Sequence, residues 1–426
     1  MGRWWDARRD LLATFRTLHD THGDVVWSRV GGLRVLLAFG PDAASVVFRN
    51  ADDAFSNRLG WRLFLDHVFP GALLGMDGDG HRQQRRIMQV AFTTPSLRRY
   101  VTQMVPALRA SIDAWRPGES AEGAPFLAYP ALKSLTLDVA TSTFLGVEPD
   151  ASADAINRAF IDTVEASIAV VRVPGLPTTY GRGRRGRALL ERHFRALLAD
   201  KRAAPGDDLL SRIALAESEE GARFSDEEIV DHIIFVMMAA HDTSTSTLAT
   251  TLYALARHPE FQEALRAQAL ERDDILDYDA LLELSDLRDV VSEALRMHPP
   301  VPAMPRVTRA PVTLGGYLVP AGTLVIVPVL HTHHDPRWWT SPEQFSPERF
   351  SAERGEHRAH RHVWSPFGGG AHRCIGERFG MLEILAALHL MLRRYRWSVP
   401  EAYRLPYQHV PIARPKDGLP LHLQPL

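Results

Sequence analysis

Cys374 is the single cysteine in a chain of 426 residues, so no internal disulfide is open to it. Three chemistries remain: a buried packing residue, a nucleophile or a metal ligand. The stretch around it, FGGGAHRCIGERFG at 367–380, favours the last. Gly368, Gly369 and Gly370 allow a sharp turn and a close backbone approach to a flat ligand. Beyond the cysteine, Phe379, Leu382, Ile384, Leu385, Leu388 and Met391 recur at helical spacing. A sulfur at the head of that helix meets free N–H groups and the positive end of the macrodipole. Such a setting is expected to lower the thiol pKa and supply a thiolate. A thiolate bound to a haem iron donates electron density that favours O–O cleavage.

Phe367, Gly370, His372, Cys374 and Gly376 together resemble the haem-binding signature of the cytochrome P-450 family, the haem-thiolate monooxygenases. That signature carries a basic residue two positions before the cysteine, here His372. The resemblance implies that Cys374 is the axial ligand of one haem b, with Phe367 and Gly368 lining the cofactor. It extends along the chain, with the family's motifs in their usual order.

In GDGHRQQRRIMQVAF, His81 and Arg85 stand four apart and share one helix face. They resemble the basic pair that binds haem propionates, and Arg306 and His372 occupy further propionate positions. A helix is expected from Ser225, whose partner Glu228 completes a capping box, to about His258, where Pro259 stops it. At 226–257 it would span roughly 50 Å. Its middle holds Ala239-Ala240-His241-Asp242-Thr243, which resembles the family's oxygen-activation motif with Ala240 where glycine is usual. That resemblance gives Thr243 the task of steadying dioxygen and Asp242 a part in proton relay. The alternative is a bonded polar patch in a core helix, since unbonded polar groups there are costly. His241 either lines the pocket or packs.

Glu293 and Arg296 lie three apart in VVSEALRMHPPVP, and Arg349 follows in FSPERF. Together they resemble the family's buried ion triad, a structural device that holds the cysteine-loop region. Trp61, Phe64, Phe69, Phe235, Met238, Ala239, Val301 and Met304 are the candidate substrate-pocket residues, and Val410–Ile412 is a further turn near substrate. The break VRVPGLPTTYGRGRRGR, with Pro174, carries Arg182, Arg184, Arg185 and Arg187. These either meet an anionic group or a membrane surface, or form a solvated helix start. Arg354, Arg358, Arg361 and Arg373 make the approach to the cysteine loop basic and suit an acidic redox partner. His331, His333, His334, His357, His360 and His362 cluster in sequence without metalloprotease spacing, so a zinc site is not expected.

The elements that must position these groups are mostly helical. The expected fold class is mainly α with a smaller β portion: by resemblance, a triangular helical prism around one haem. Helices are expected at Leu11–His22, Pro41–Asn50, Leu108–Leu145 and Ala153–Val171. Apolar-rich runs flanking Gly31-Gly32 make a hairpin signal. The β-rich parts fall at about 24–38 and 312–329, and the haem-thiolate loop at 367–376. Composition shows no linker or repeat, so residues 1–426 are expected to form one domain.

The chain is 45% hydrophobic and 23% charged, with a formal net charge of -2. That charge argues against nucleic acid as a partner. No run of about 18 apolar residues suggests a transmembrane anchor, and the start, MGRWWDARRDLL, lacks a signal-peptide core. One cysteine fits a reducing, cytoplasmic setting. The resemblance implies a monomer that inserts one oxygen atom from dioxygen into a small apolar substrate, commonly by hydroxylation. The sterol, retinoid and terpenoid branches are the nearest in pattern. No dinucleotide fingerprint follows a strand, so electrons are expected from NAD(P)H through a ferredoxin and its reductase. Two rival readings are a peroxide-using or isomerising haem-thiolate enzyme and a non-enzymatic haem or ligand-binding protein.

Overall fold

The computed structural model describes residues 10–30, 32–62, 64–116, 125–147, 153–169, 171–173, 175–217 and 221–426. The first nine residues, Gly31 and Pro174 lie outside them. Asp10 caps the first helix, α1 (Leu11–His22), by accepting the Ala13 amide at 2.9 Å. A hairpin follows, β1 (Val25–Val30) and β2 (Leu33–Ala38), in antiparallel register from Val25 opposite Ala38 to Val30 opposite Leu33. Helix α2 (Gly40–Arg49) then buries Ala44, Val47 and Phe48. A two-residue strand β3 (Phe55–Ser56) leads into a short helix α3 (Asn57–Trp61).

The helical body begins with α4 (Gly78–Gln89) and α5 (Thr94–Asp113). It continues with α6 (Ala128–Ala140), α7 (Ala153–Ala166) and α8 (Thr179–Ala203). Ser225 closes its capping box with Glu228 and starts α9 (Asp226–Arg257), 32 residues long. Helices α10 (Ser285–Met297) and α11 (Glu377–Arg394) complete the set that matters for the site. The main core lies among α5 to α11, with Phe144, Phe160, Phe194 and Phe379 closed off from solvent. Each such ring contributes about 1.5–3 kcal/mol through burial.

The expected helix over Leu108–Leu145 is corrected. Helix α5 starts earlier, at Thr94, and ends at Asp113. Phe126–Leu127 is a strand before α6, whose end widens into a π turn over Thr141–Leu145. The sequence Pro117-Gly118 explains the break. Helix α7 stops at Ala166, short of Val171, ahead of a β-branched run that disfavours helix.

Residues 304–327 supply four more strands, β4 (Met304–Thr308), β5 (Val312–Leu314), β6 (Tyr317–Val319) and β7 (Leu324–Val327), of which β4 and β7 complete the sheet. Strands β5 and β6 form their own hairpin across Gly315 and Gly316, with φ +56° and +81°, values that select glycine in a tight hairpin turn. The five-stranded sheet runs β1-β2-β7-β4-β3, with β2 and β7 parallel. It therefore places Arg306 and Met304 beside α3. A Cβ on Gly60 of α3 would stand 2.6 Å from the Pro305 carbonyl oxygen, so only glycine lets α3 lie this close.

Candidate active site

The cysteine loop is wedged between the sheet and α2. Gly368 and Gly370 have φ of +70° and +64°. A Cβ at Gly370 would stand 1.8 Å from the Phe48 carbonyl oxygen, and one at Gly368 would stand 3.2 Å from Met304 Sδ. At Gly369 it would meet the His362 ring at 2.7 Å. The three glycines thus serve close packing against protein, a need that composition alone left undefined. The loop closes on itself where the Cys374 amide donates to the Phe367 carbonyl at 2.9 Å.

The Cys374 residue is solvent-accessible, yet protein surrounds it closely enough that burial pushes its thiol pKa up. The two observations agree if the sulfur borders an internal space. Burial outweighs the Gly376 amide, Arg85 and Arg373, all of which pull the pKa down. The expectation of a lowered thiol pKa is therefore corrected: a helix terminus cannot offset the lost hydration unaided. A metal cation at the sulfur would supply the missing charge, since metal ligation favours the deprotonated thiol.

Beside the loop four basic side chains converge. The rings of His81 and His372 stack 3.9 Å apart at 27°. Arg85 donates to the Arg373 carbonyl at 2.7 Å. Arg306 is buried, and its one hydrogen bond among the described residues goes to the adjoining Pro305 carbonyl, at 2.8 Å. Burial pushes Arg306 down to about 10. Burial, with Arg85 next, pushes His81 down to about 4. Burial followed by His81 and Arg306 pushes His372 down to about 3. Among the described residues one carboxylate faces them: Asp77 Oδ1 lies 3.9 Å from His372 Nε2. Asp77 is already engaged by Ser56, by the Asn57 amide at 2.8 Å and by Arg309 at 2.8 Å. The cluster is short of negative charge, so a dianionic group placed there would relieve it. A sulfur bordering an internal space beside an under-neutralised basic cluster fits the thiolate and propionate demands of haem.

On α9 the hydroxyl-rich run bonds back along the helix. Thr243 donates to the Ala239 carbonyl at 2.7 Å, Thr245 to His241 at 2.7 Å and Thr247 to Thr243 at 2.9 Å. The helix stays continuous through them. Asp242 turns toward α6, where Lys133 Nζ meets it at 2.8 Å and His241 Nε2 at 3.2 Å. Burial raises its carboxyl, but His241 and Lys133 outweigh that and hold it below the ordinary carboxylate range. His241 is fully buried against Phe160, with ring centroids 5.5 Å apart; of its two readings, packing is the one observed.

Glu293, Arg296 and Arg349 are brought together. Arg296 grips Glu293 through two bonds of 2.7 and 2.8 Å, and Arg349 Nε meets the same carboxylate at 3.2 Å. All three are buried. Sequence reading gave no role to His333, which links this triad to the loop. Its Nδ1 bonds the Arg296 carbonyl at 3.1 Å, and its Nε2 accepts the Ser365 amide at 3.0 Å. The Ser365 carbonyl in turn accepts the Gly368 amide at 3.0 Å.

Of the pocket candidates, Phe69 and Phe235 meet edge-on at 5.9 Å, and Trp61 and Phe64 at 6.4 Å. The Trp61 indole N–H is buried without an acceptor. Met238 is buried in the main core, and Ala239 supplies the carbonyl that holds Thr243. Met304 and Val301 share the sheet-side core. The Val410–Ile412 turn is tethered next to this strand, where the Ala413 amide donates to Pro300 at 3.1 Å.

The arginines of α8 are mostly engaged by protein. Arg187 is buried against Asp231 and Glu191, Arg184 reaches the His67 carbonyl and Arg182 approaches Asp162. On the loop's approach, Arg373 pairs with Glu377 and Arg354 with Glu356. Lys133, Asp77 and Glu383 were missed in sequence. Glu383 carried a usable signal, a lone charge inside the apolar run MLEIL.

The family model described as Cytochrome P-450 matches residues 2–419. The chain belongs to the cytochrome P-450 family. This P-450 is thus an oxidoreductase of the haem-thiolate monooxygenase class. It is 42% identical to cytochrome P-450 136 of Mycobacterium tuberculosis, over 96% of this chain and 83% of that one. It is 31% identical to cyclooctat-9-en-7-ol 5-monooxygenase of Streptomyces melanosporofaciens, over 88% of this chain and 83% of that one. The solved structure of a retinoic acid-bound cyanobacterial CYP120A1 superposes with a TM-score of 0.89 at 25% identity, covering 99% of this chain and 96% of that one. Among the described residues no helix is long and apolar enough to cross a membrane.

Proposed function

We propose that this P-450 hydroxylates a large apolar substrate of sterol, retinoid or terpenoid type, drawing electrons from NAD(P)H through a ferredoxin and its reductase. The observation that carries the reading is the pairing of Cys374, accessible yet closely surrounded by protein, with the under-neutralised cluster of His81, Arg85, Arg306 and His372. Haem b held there supplies the redox chemistry of dioxygen. Cys374 would ligate it, and His81, Arg85, Arg306 and His372 would hold its propionates. Thr243 donates its hydroxyl proton to the Ala239 carbonyl, so its oxygen keeps lone pairs that would accept a hydrogen bond from a water or other proton donor in the pocket. Asp242, held ionised by Lys133 and His241, is the nearest buried proton acceptor on that helix. Phe69, Phe235 and Met238 exclude water from the substrate side. A lone thiol suits a reducing cytosol, where a monomer would meet its electron donor.

Large apolar substrates are supported by the names of two similar proteins, one acting on cyclooctat-9-en-7-ol and one binding retinoic acid, and by the aromatic and Met side chains above. The reduced, carbon-monoxide-treated protein should show the red-shifted Soret band of thiolate-bound iron; its absence sinks the cofactor reading. Soret-shift screening of sterols, retinoids and terpenoids then tests the substrate class. Turnover with reduced ferredoxin but not with peroxide separates a monooxygenase from a peroxide-using enzyme.

A further inference from the structure

We infer that a cleft beside α3 is a binding site for the carboxylate group of an organic anion. The cleft has a volume of about 500 Å³, which suits a small molecule. The charged groups on its wall are Arg58, Arg62, Arg309, Asp66 and Asp77. Two of these are satisfied within the protein. Asp77 accepts from the Ser56 hydroxyl and from the amides of Asn57 and Arg58, and Arg309 meets it at 2.8 Å. Arg309 also reaches Asp53 at 3.2 Å.

Arg58 and Arg62 are left over. They stand four apart, and the Arg62 amide donates to the Arg58 carbonyl at 2.9 Å. Both side chains therefore leave one face of the same helical turn, where like charges repel and cost stability. Both are exposed, and among the described residues neither pairs with a carboxylate. Asp66 likewise pairs with no cation among the described residues. Two free cations thus face one free anion across the cleft, and one added negative charge balances them. Guanidinium groups present forked donors that match the two oxygens of a carboxylate. Leu59, 39% exposed, lies on the same wall and offers an apolar surface to the ligand's carbon part.

The test is isothermal calorimetry on the full haem-loaded chain, with dodecanoate as the probe and dodecanol as its uncharged counterpart. Dodecanoate should bind at least about tenfold more tightly than dodecanol, and added salt should weaken it. R58Q/R62Q should weaken dodecanoate about tenfold or more and leave dodecanol unchanged. D66N removes the free negative charge and should tighten dodecanoate severalfold. A general loss of folding cannot move the two variants in opposite directions, and both should keep the wild-type thermal midpoint. Equal binding of dodecanoate and dodecanol overturns the inference, as does dodecanoate binding that R58Q/R62Q leaves unchanged or that D66N weakens. The Soret band separates two sources of the carboxylate. A shift on dodecanoate binding assigns it to the substrate itself, and an unmoved band assigns it to a separate ligand; both support the site. Only that last readout rests on the monooxygenase reading, so the calorimetry can fail or succeed without it.

Discussion

His333 spans the gap between Arg296 and Ser365, bonding the carbonyl of one and the amide of the other through opposite ring nitrogens. Burial holds the ring neutral, its pKa pushed down to about 3, so it donates from Nδ1 and accepts at Nε2. A buried ion triad is thereby connected to Ser365, two residues before the cysteine loop. His333→Phe keeps the ring volume and removes both bonds. It should cost about 2–5 kcal/mol, because each orphaned buried group carries a penalty of about 1–3 kcal/mol. Urea unfolding measures the loss, and haem retention on gel filtration should fall with it. Wild-type stability and haem content in H333F would show that the link is idle.

The triad itself should respond more sharply. Removing Glu293 leaves Arg296 buried without a carboxylate and Arg349 with Glu356 only, and Arg296→Ala leaves Glu293 with Arg349 and the Ser346 amide. Either change should cost about 3–5 kcal/mol and yield protein that loses haem. Spectroscopic haem counting on purified Glu293→Ala checks this, and full occupancy would remove the triad's structural role.

Glu383 offers a pH signature. It is buried on α11, and the Ser244 hydroxyl on α9 meets its carboxyl. Burial raises its pKa to about 8, against an unfolded value of about 4.3. The folded state therefore keeps a proton that the unfolded state releases between those values. Stability from this group is complete below about pH 4 and is lost progressively as pH rises through about 8. Glu383→Gln keeps a neutral hydrogen-bonding group. It should gain on the wild type as pH rises, by on the order of 1–3 kcal/mol at alkaline pH. Parallel unfolding curves for the two proteins across that range would contradict a protonated Glu383.

Lys133 and Asp242 invite a double-mutant cycle. Lys133→Met leaves the Asp242 carboxylate with His241 alone and should cost about 3 kcal/mol or more. Adding Asp242→Asn should restore part of that loss, because the stranded charge is gone. Turnover separates structure from chemistry: Asp242→Asn should lower kcat even where stability recovers. Additive costs in the cycle would mean that the pair is not coupled.

The parts of this site legible in sequence were those whose residue types are themselves the chemistry. A lone cysteine after three glycines, a hydroxyl run inside an apolar helix and Glu293 three before Arg296 all announced themselves locally. The capping box at Ser225 set the start of α9 for the same reason. What escaped were relations across long separations. Lys133 finds Asp242 from 109 positions away, and no local spacing encodes that. His333 looked like one of several histidines until its neighbours on α10 and the loop were known. The thiol pKa was misjudged because helix ends are visible in a pattern whereas depth is not. The Leu108–Leu145 reading failed where apolar periodicity continued past the Pro117-Gly118 break.

The glycine wedge has a consequence for how this enzyme can change over generations. With Phe48 and Met304 standing against Gly370 and Gly368, the altitude of the sulfur is gauged from the β-rich lobe. A bulkier group at Met304 would press on Gly368, and one at Phe48 would press on Gly369, whereas the contact at Gly370 is with the Phe48 backbone carbonyl, so either change would displace the loop that carries the sulfur without touching the four basic groups. Drift at Phe48 or Met304 should therefore be tolerated only in step with the loop.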